Sequence, residues 1–153
     1  MESETREIET AIGNLGRLTD LFQRRRTQLA RRVGLTVQQW RVLEEVSTEH
    51  FLPSLFAREW ECTPAAVSKV LRQLLGKGLI RAGISEHDGR RRRYHLTADG
   101  RRAIEQLRDD RRQAIRAIWS DLPGGELTRF ARFAGELGDR LERFADQPTR
   151  KDP

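Results

Sequence analysis

Thr63-Pro64-Ala65-Ala66-Val67-Ser68-Lys69-Val70-Leu71-Arg72-Gln73-Leu74-Leu75-Gly76-Lys77-Gly78-Leu79-Ile80 is the stretch that decides the fold. Thr63 is a good helix N-cap, and Pro64 suits the first helical position, where its missing N–H costs nothing. Val67, Val70, Leu71 and Leu74 recur at helical spacing and make one buried stripe. Opposite that stripe stand Ala65, Ser68, Lys69 and Arg72. Gly78 then ends the helix as a left-handed cap. The helix has an apolar back and a front of small residues plus two cations. Small residues permit close approach to base edges and phosphates, and Lys69 and Arg72 can reach phosphates or guanine. Exposed Lys and Arg are common on amphipathic helices, so this front alone does not separate a nucleic-acid reader from a solvated face.

The residues after the helix separate them. A short strand, Leu79 to Ile84, leads to Asp88-Gly89-Arg90-Arg91-Arg92-Arg93-Tyr94-His95-Leu96-Thr97. Asp-Gly favours a tight reversal, so the four arginines are expected at or just after the tip of a β-hairpin. On charge alone, a solvated basic loop explains such a run as well as a polyanion does. Duplex nucleic acid supplies closely spaced phosphates and a narrow minor groove that attracts arginine. Helix, strand and charged hairpin in that order predict a winged helix-turn-helix.

At these residues the segment from Leu35 to Gly100 resembles the multiple-antibiotic-resistance regulator family, MarR. The resemblance rests on Leu35-Thr36-Val37-Gln38-Gln39-Trp40-Arg41-Val42-Leu43, then Thr63 to Lys69, then Lys77-Gly78-Leu79-Ile80. It continues with Asp88-x-Arg90 and runs on to Leu96-Thr97-Ala98-Asp99-Gly100. It implies a homodimeric bacterial transcription regulator whose recognition helices enter successive major grooves. It also implies that Arg90 is the minor-groove arginine and Asp88 its orienting partner. One piece departs from the pattern: the preceding helix, Pro53 to Cys62, is bulkier than the usual small-residue version.

The rest of the chain agrees. Its 153 residues suffice for one domain with a modest core. Charged residues make up 34 % of it and the mean hydropathy is −0.71, so a soluble protein is expected. Neither a transmembrane run nor a secretory segment near Met1 is visible. A formal charge of +6 and a pI near 10.6 favour a polyanionic partner. A single cysteine rules out an intrachain disulfide framework and suits a reducing cytoplasm.

Helices dominate the pattern. The first is expected from about Thr5 to Arg32, with Ile8, Ile12, Leu15, Leu18, Phe22 and Leu29 at helical intervals. Others begin at Thr36 and near Pro53. Beyond the wing, Thr97 is expected to cap a long helix carrying Ile104, Leu107, Ala114, Ile115 and Ile118, interrupted by Pro123-Gly124-Gly125. A last helix sets Leu127, Phe130, Phe133, Leu137, Leu141 and Phe144 on one face. The terminal apolar stripes must bury against each other or against a second chain. The expected architecture is mainly α with a small β-wing, one domain over residues 1–153. A DNA-binding lobe spans about 35–100, and dimerisation helices span about 5–32 and 101–146.

Other chemistry finds little footing. His50, His87, His95 and Cys62 lack metal-ligand spacing, so neither a metal nor a cofactor is expected. Nucleophile elbow, phosphate-binding loop and dinucleotide fingerprint are all missing, which argues against an enzyme. Cys62, just before a helix N-terminus, reads as a small core residue with a redox switch as the sharper alternative. Trp40 and Trp60 read as core aromatics, either of which could also line a cavity for a small aromatic effector. The expected function is a sequence-specific regulator of duplex DNA, a homodimeric repressor on a palindromic operator, relieved by a small-molecule or stress signal. Its expected DNA-binding residues are Thr63, Ala65, Ser68, Lys69, Arg72, Asp88, Arg90, Arg91 and Arg92, with Arg93 adding backbone attraction. The alternative class is a nonspecific architectural or RNA-binding module using the arginine run as a generic clamp.

Overall fold

Capping chemistry marks where several of the helices begin. The structure, a computed structural model, describes residues 2–48, 51–84 and 92–146. Along them run α1 (Glu2–Arg32), α2 (Val37–Val46), α3 (Pro53–Glu59), α4 (Pro64–Gly76), β1 (Ile80–Ile84), β2 (Arg92–Leu96), α5 (Ala98–Trp119) and α6 (Gly124–Ala145). The strands pair antiparallel, with Ile80 opposite Leu96 and Ile84 opposite Arg92. The expected mainly α fold with a small β-wing is what forms.

Three reversals share one construction. After α1, Gly34 has φ +70 and the Leu35 N–H donates to the Ala30 carbonyl at 2.9 Å. After α4, Gly78 has φ +68 and the Leu79 N–H donates to the Leu74 carbonyl at 3.1 Å. After α3 the same hydrogen-bonded exit recurs, from the Cys62 N–H to the Ala57 carbonyl at 2.9 Å, but the left-handed residue is Glu61, with φ +46. Left-handed backbone suits glycine and strains a residue that carries a β-carbon. The turn into α4 is therefore the strained one.

Threonines cap the starts of α2, α4 and α5. Thr36 and Gln39 form a capping box at α2, each side chain accepting the other's backbone N–H at 3.1 Å. Thr63 caps α4, its hydroxyl oxygen accepting the Ala66 N–H at 3.1 Å. Thr97 caps α5 by accepting from the Gly100 N–H at 3.1 Å.

The chain divides into two compact units, Met1–Arg112 and Gln113–Pro153. The first holds the core, a cluster that joins Leu29 and Ala30 of α1, the buried faces of α2, α3 and α4, Ile80 of β1, and Ile104 and Leu107 of α5. Val67, Val70, Leu71 and Leu74 are all buried, as their spacing predicts. Asp110 of α5 pairs with Arg32 at the end of α1 at 3.4 Å. In the second unit α6 buries no residue, and Phe130, Phe133, Leu141 and Phe144 are exposed. Exposed too, in the first unit, are Ile8, Ile12, Leu18, Leu21 and Phe22 along α1.

One aromatic departs from expectation. Trp40 is buried in the core, but Trp60 is 42 % exposed and is not a core residue. Helix α3 is only seven residues long and buries Phe56 and Ala57. Trp60 falls at its C-cap, past that face, where its ring packs beside Phe56 and receives the Arg41 guanidinium at 4.5 Å. Cys62 is half-buried against the core.

Candidate nucleic-acid interface

The recognition helix presents the face that its sequence describes. Ala65, Ser68, Lys69 and Arg72 are all exposed, along with Thr63 at the cap. Their spacing puts them on one side of α4, opposite the buried stripe. α4 itself carries no acidic residue. Among the described residues no carboxylate pairs with Lys69 or Arg72. Unpaired cations on a helix with small neighbours leave room for an anionic partner to approach the backbone. The N-terminal end of the helix dipole adds partial positive charge there. Against this, Glu59 and Glu61 stand exposed just before the cap and oppose an approaching phosphate.

α4 is tied to the rest of its unit at its C-terminal end and along one flank, which fixes its placement. At the C-terminal end, the Lys77 Nζ donates to the Gly34 carbonyl in the turn after α1. The Thr97 hydroxyl donates to the Gly78 carbonyl at 2.7 Å, and the Thr97 N–H donates to the Leu79 carbonyl at 3.0 Å. The start of α5 and the end of β2 are thereby fastened to the exit of the recognition helix. On its flank, the Gln39 amide Nε2 of α2 donates to Oε1 of Gln73 at 3.0 Å. Sequence reasoning gives none of Gln39, Gln73, Thr97 or Gly100 a place in the site. The sequence signals only the Thr36-x-x-Gln39 capping pattern and the Leu96-to-Gly100 motif with its Thr97 cap, not the contacts that tie these residues to α4.

The wing is anchored by aromatics. Tyr94 of β2 meets Phe51 edge-on at 6.1 Å between ring centroids, and Phe51 in turn meets Phe56 of α3 at 5.8 Å. Arg93 is exposed, and Arg92 and Arg93 belong to β2, so the second half of the arginine run is strand. Asp88, Arg90 and Arg91, like His50 and His87, lie outside the described residues.

Other sites find no geometry. Among the described residues, His, Cys, Asp and Glu form no group of three able to hold a metal ion. No described helix is long and apolar enough to cross a membrane. A recess of about 490 Å³ runs along α1, lined by Asp20, Gln23, Arg24, Thr27, Gln28 and Arg31, side chains of a single helix. Neither Trp40 nor Trp60 lines it. The Trp40 indole N–H is buried and has no acceptor among the described residues.

A helix with one cationic face, entered by a tight turn from a short helix and left through a two-stranded hairpin, makes this a winged helix-turn-helix protein. The profile of the MarR family matches residues 33–91, from the end of α1 into the wing. Solved structures agree in fold. A crystal structure of the MarR family transcription regulator SP03579 is 21 % identical, with a TM-score of 0.84 over 97 % of this chain and 99 % of that one. Staphylococcus aureus MepR in its DNA complex is 18 % identical, with a TM-score of 0.66 over 83 % and 93 % of the two chains. Staphylococcus aureus MarR in complex with salicylate and kanamycin is 13 % identical, with a TM-score of 0.72 over 88 % and 92 %. No curated protein matches the sequence.

Proposed function

We propose that this chain is a DNA-binding transcription regulator of the cytoplasm, acting as a homodimer on a roughly palindromic operator. It represses nearby genes until a small-molecule or stress signal relieves it. The observation that carries this reading is the exposed face of α4, where Lys69 and Arg72 stand beside Ala65 and Ser68 with no carboxylate partner among the described residues. In this reading Lys69 and Arg72 contact the major groove and phosphates, while Thr63, Ala65 and Ser68 set the approach. Arg90, oriented by Asp88, enters the minor groove, and Arg91 and Arg92 strengthen backbone attraction. The likeness to a MepR–DNA complex supports a duplex partner.

The single 1–153 domain divides by role into a DNA-binding lobe of about 35–100 and dimerisation helices of about 5–32 and 101–146. The apolar residues left exposed on α1 and on α6 support burial of these helices against a second copy. A symmetric pair sets two recognition helices about 34–36 Å apart, one turn of DNA. The likeness to a salicylate complex supports a small aromatic effector.

The test is selection. The chain is incubated with random duplexes under excess nonspecific competitor, and the retained DNA is sequenced. A regulator enriches one motif with two-fold symmetry. Retention without any motif would mean a generic clamp and would overturn the proposal.

A further inference from the structure

Gln39 is 5 % exposed, and both atoms of its amide are in use. Its Oε1 accepts the Thr36 N–H at 3.1 Å, and its Nε2 donates to Oε1 of Gln73 at 3.0 Å. The first bond decides which way the Gln39 amide lies, because reversing it would set an NH2 group against a backbone N–H. The second bond then decides Gln73. Its Oε1 faces Gln39 and its Nε2 is turned away.

Gln73 is exposed on α4, directly after Arg72 and one turn beyond Lys69. Among the described residues its Nε2 donates to nothing. A freely turning glutamine offers either a donor or an acceptor, and its bidentate pairing with adenine uses both. With Oε1 held by a buried partner, Gln73 offers N–H groups alone.

We infer that Gln73 is a further DNA contact that donates to an acceptor atom of the duplex, and that Gln39 is the positioning residue that makes it a donor. The acceptor is a phosphate oxygen or the O6, N7 or O4 edge of guanine or thymine. Adenine N6 and cytosine N4, which are donors, are disfavoured opposite it. This rests on the DNA-binding reading above.

The experiment measures affinity for the selected duplex by fluorescence anisotropy, with a thermal melt of each variant without DNA. Gln73→Ala weakens binding about tenfold, the scale of one lost hydrogen bond, with the melt unchanged. Gln73→Glu keeps an acceptor toward Gln39, and so keeps the melt, but turns an oxygen outward and weakens binding further. Gln39→Glu still caps α2, yet now presents an acceptor to Gln73, whose amide must reverse. Binding falls although residue 39 is buried. In the Gln73→Ala background the same change has no further effect. If Gln39→Glu melts below the assay temperature, Gln39→Met takes its place. It gives a smaller loss than Gln73→Ala, and again none in that background.

Single-base variants of the duplex separate the two acceptors. Uniform weakening of all of them by Gln73→Ala means phosphate, and lost preference at one guanine or thymine means a base edge. Wild-type affinity in Gln73→Ala overturns the inference, as does a Gln39 effect that persists without Gln73. Failure of the wild-type chain to select any duplex overturns the DNA-binding reading itself, a result distinct from either.

Discussion

Gly100, in the first turn of α5, lies so close to Leu79 that a β-carbon on residue 100 would stand 2.0 Å from the Leu79 carbonyl oxygen. That oxygen already accepts the Thr97 N–H, and Leu79 is the corner between the recognition helix and the wing. The bare backbone at residue 100 lets α5 rest on that corner. Without this approach the Thr97 bonds to Gly78 and Leu79 would lengthen, leaving Lys77 to anchor the C-terminal end of α4.

Gly100→Ala is therefore expected to cost about 1–3 kcal/mol, as a methyl forced against backbone does in a packed interior. The midpoint of thermal unfolding should fall by at least about 3 °C. An unchanged midpoint, followed by circular dichroism, would contradict the close approach.

Glu61 holds a left-handed backbone at the turn into α4 and sets a carboxylate near the end proposed to face DNA. Relief of its strain is worth about 1–2 kcal/mol, offset in part by glycine's larger freedom in the unfolded chain. Glu61→Gly should raise stability by about 0.5–1 kcal/mol. It should also tighten DNA binding at low salt, an effect that fades as salt screens the lost carboxylate. Denaturant titration and anisotropy at two salt concentrations check the two halves separately.

Side chains proposed to touch DNA should weaken binding without weakening the fold. Arg72→Ala and Arg90→Ala are each expected to lower operator affinity by about 1–3 kcal/mol, with melting unchanged. Thr63→Ala should do both, losing about 1 kcal/mol of stability through the N-cap, while Thr63→Ser keeps it. Undiminished operator binding by Arg90→Ala would remove the wing from the interface.

The exposed phenylalanines of α6 make the dimer testable. Phe133, 61 % exposed, lies on a helix that buries nothing in its own unit. Phe133→Glu should shift the chain from dimer to monomer in analytical ultracentrifugation at micromolar concentration, and weaken operator binding with it. A wild-type chain that sediments as a monomer would contradict the dimer directly.

Much of the fold is legible in the sequence because local chemistry reports local structure. Thr63, Pro64 and Gly78 mark both ends of α4, and the spacing of Val67, Val70, Leu71 and Leu74 marks its buried side. The front of Ala65, Ser68, Lys69 and Arg72 is then the side left over. Trp60 misleads because a helix of seven residues has too few turns to show its face. No sequence signal links Gln39 to Gln73, which are 34 positions apart, since periodicity within a helix does not report contacts between helices. Gly100 belongs to a recognisable pattern, but its reason is the carbonyl of Leu79, which only the fold brings near.

The most direct measurement is the ratio of affinities for the selected duplex and for a scrambled duplex of the same composition, taken at physiological salt. Sequence-specific reading through α4 requires a ratio of at least about 10³, falling sharply in Arg72→Ala. A ratio near one, with binding that collapses steeply as salt rises, would show the arginines acting as a generic clamp and would contradict the account.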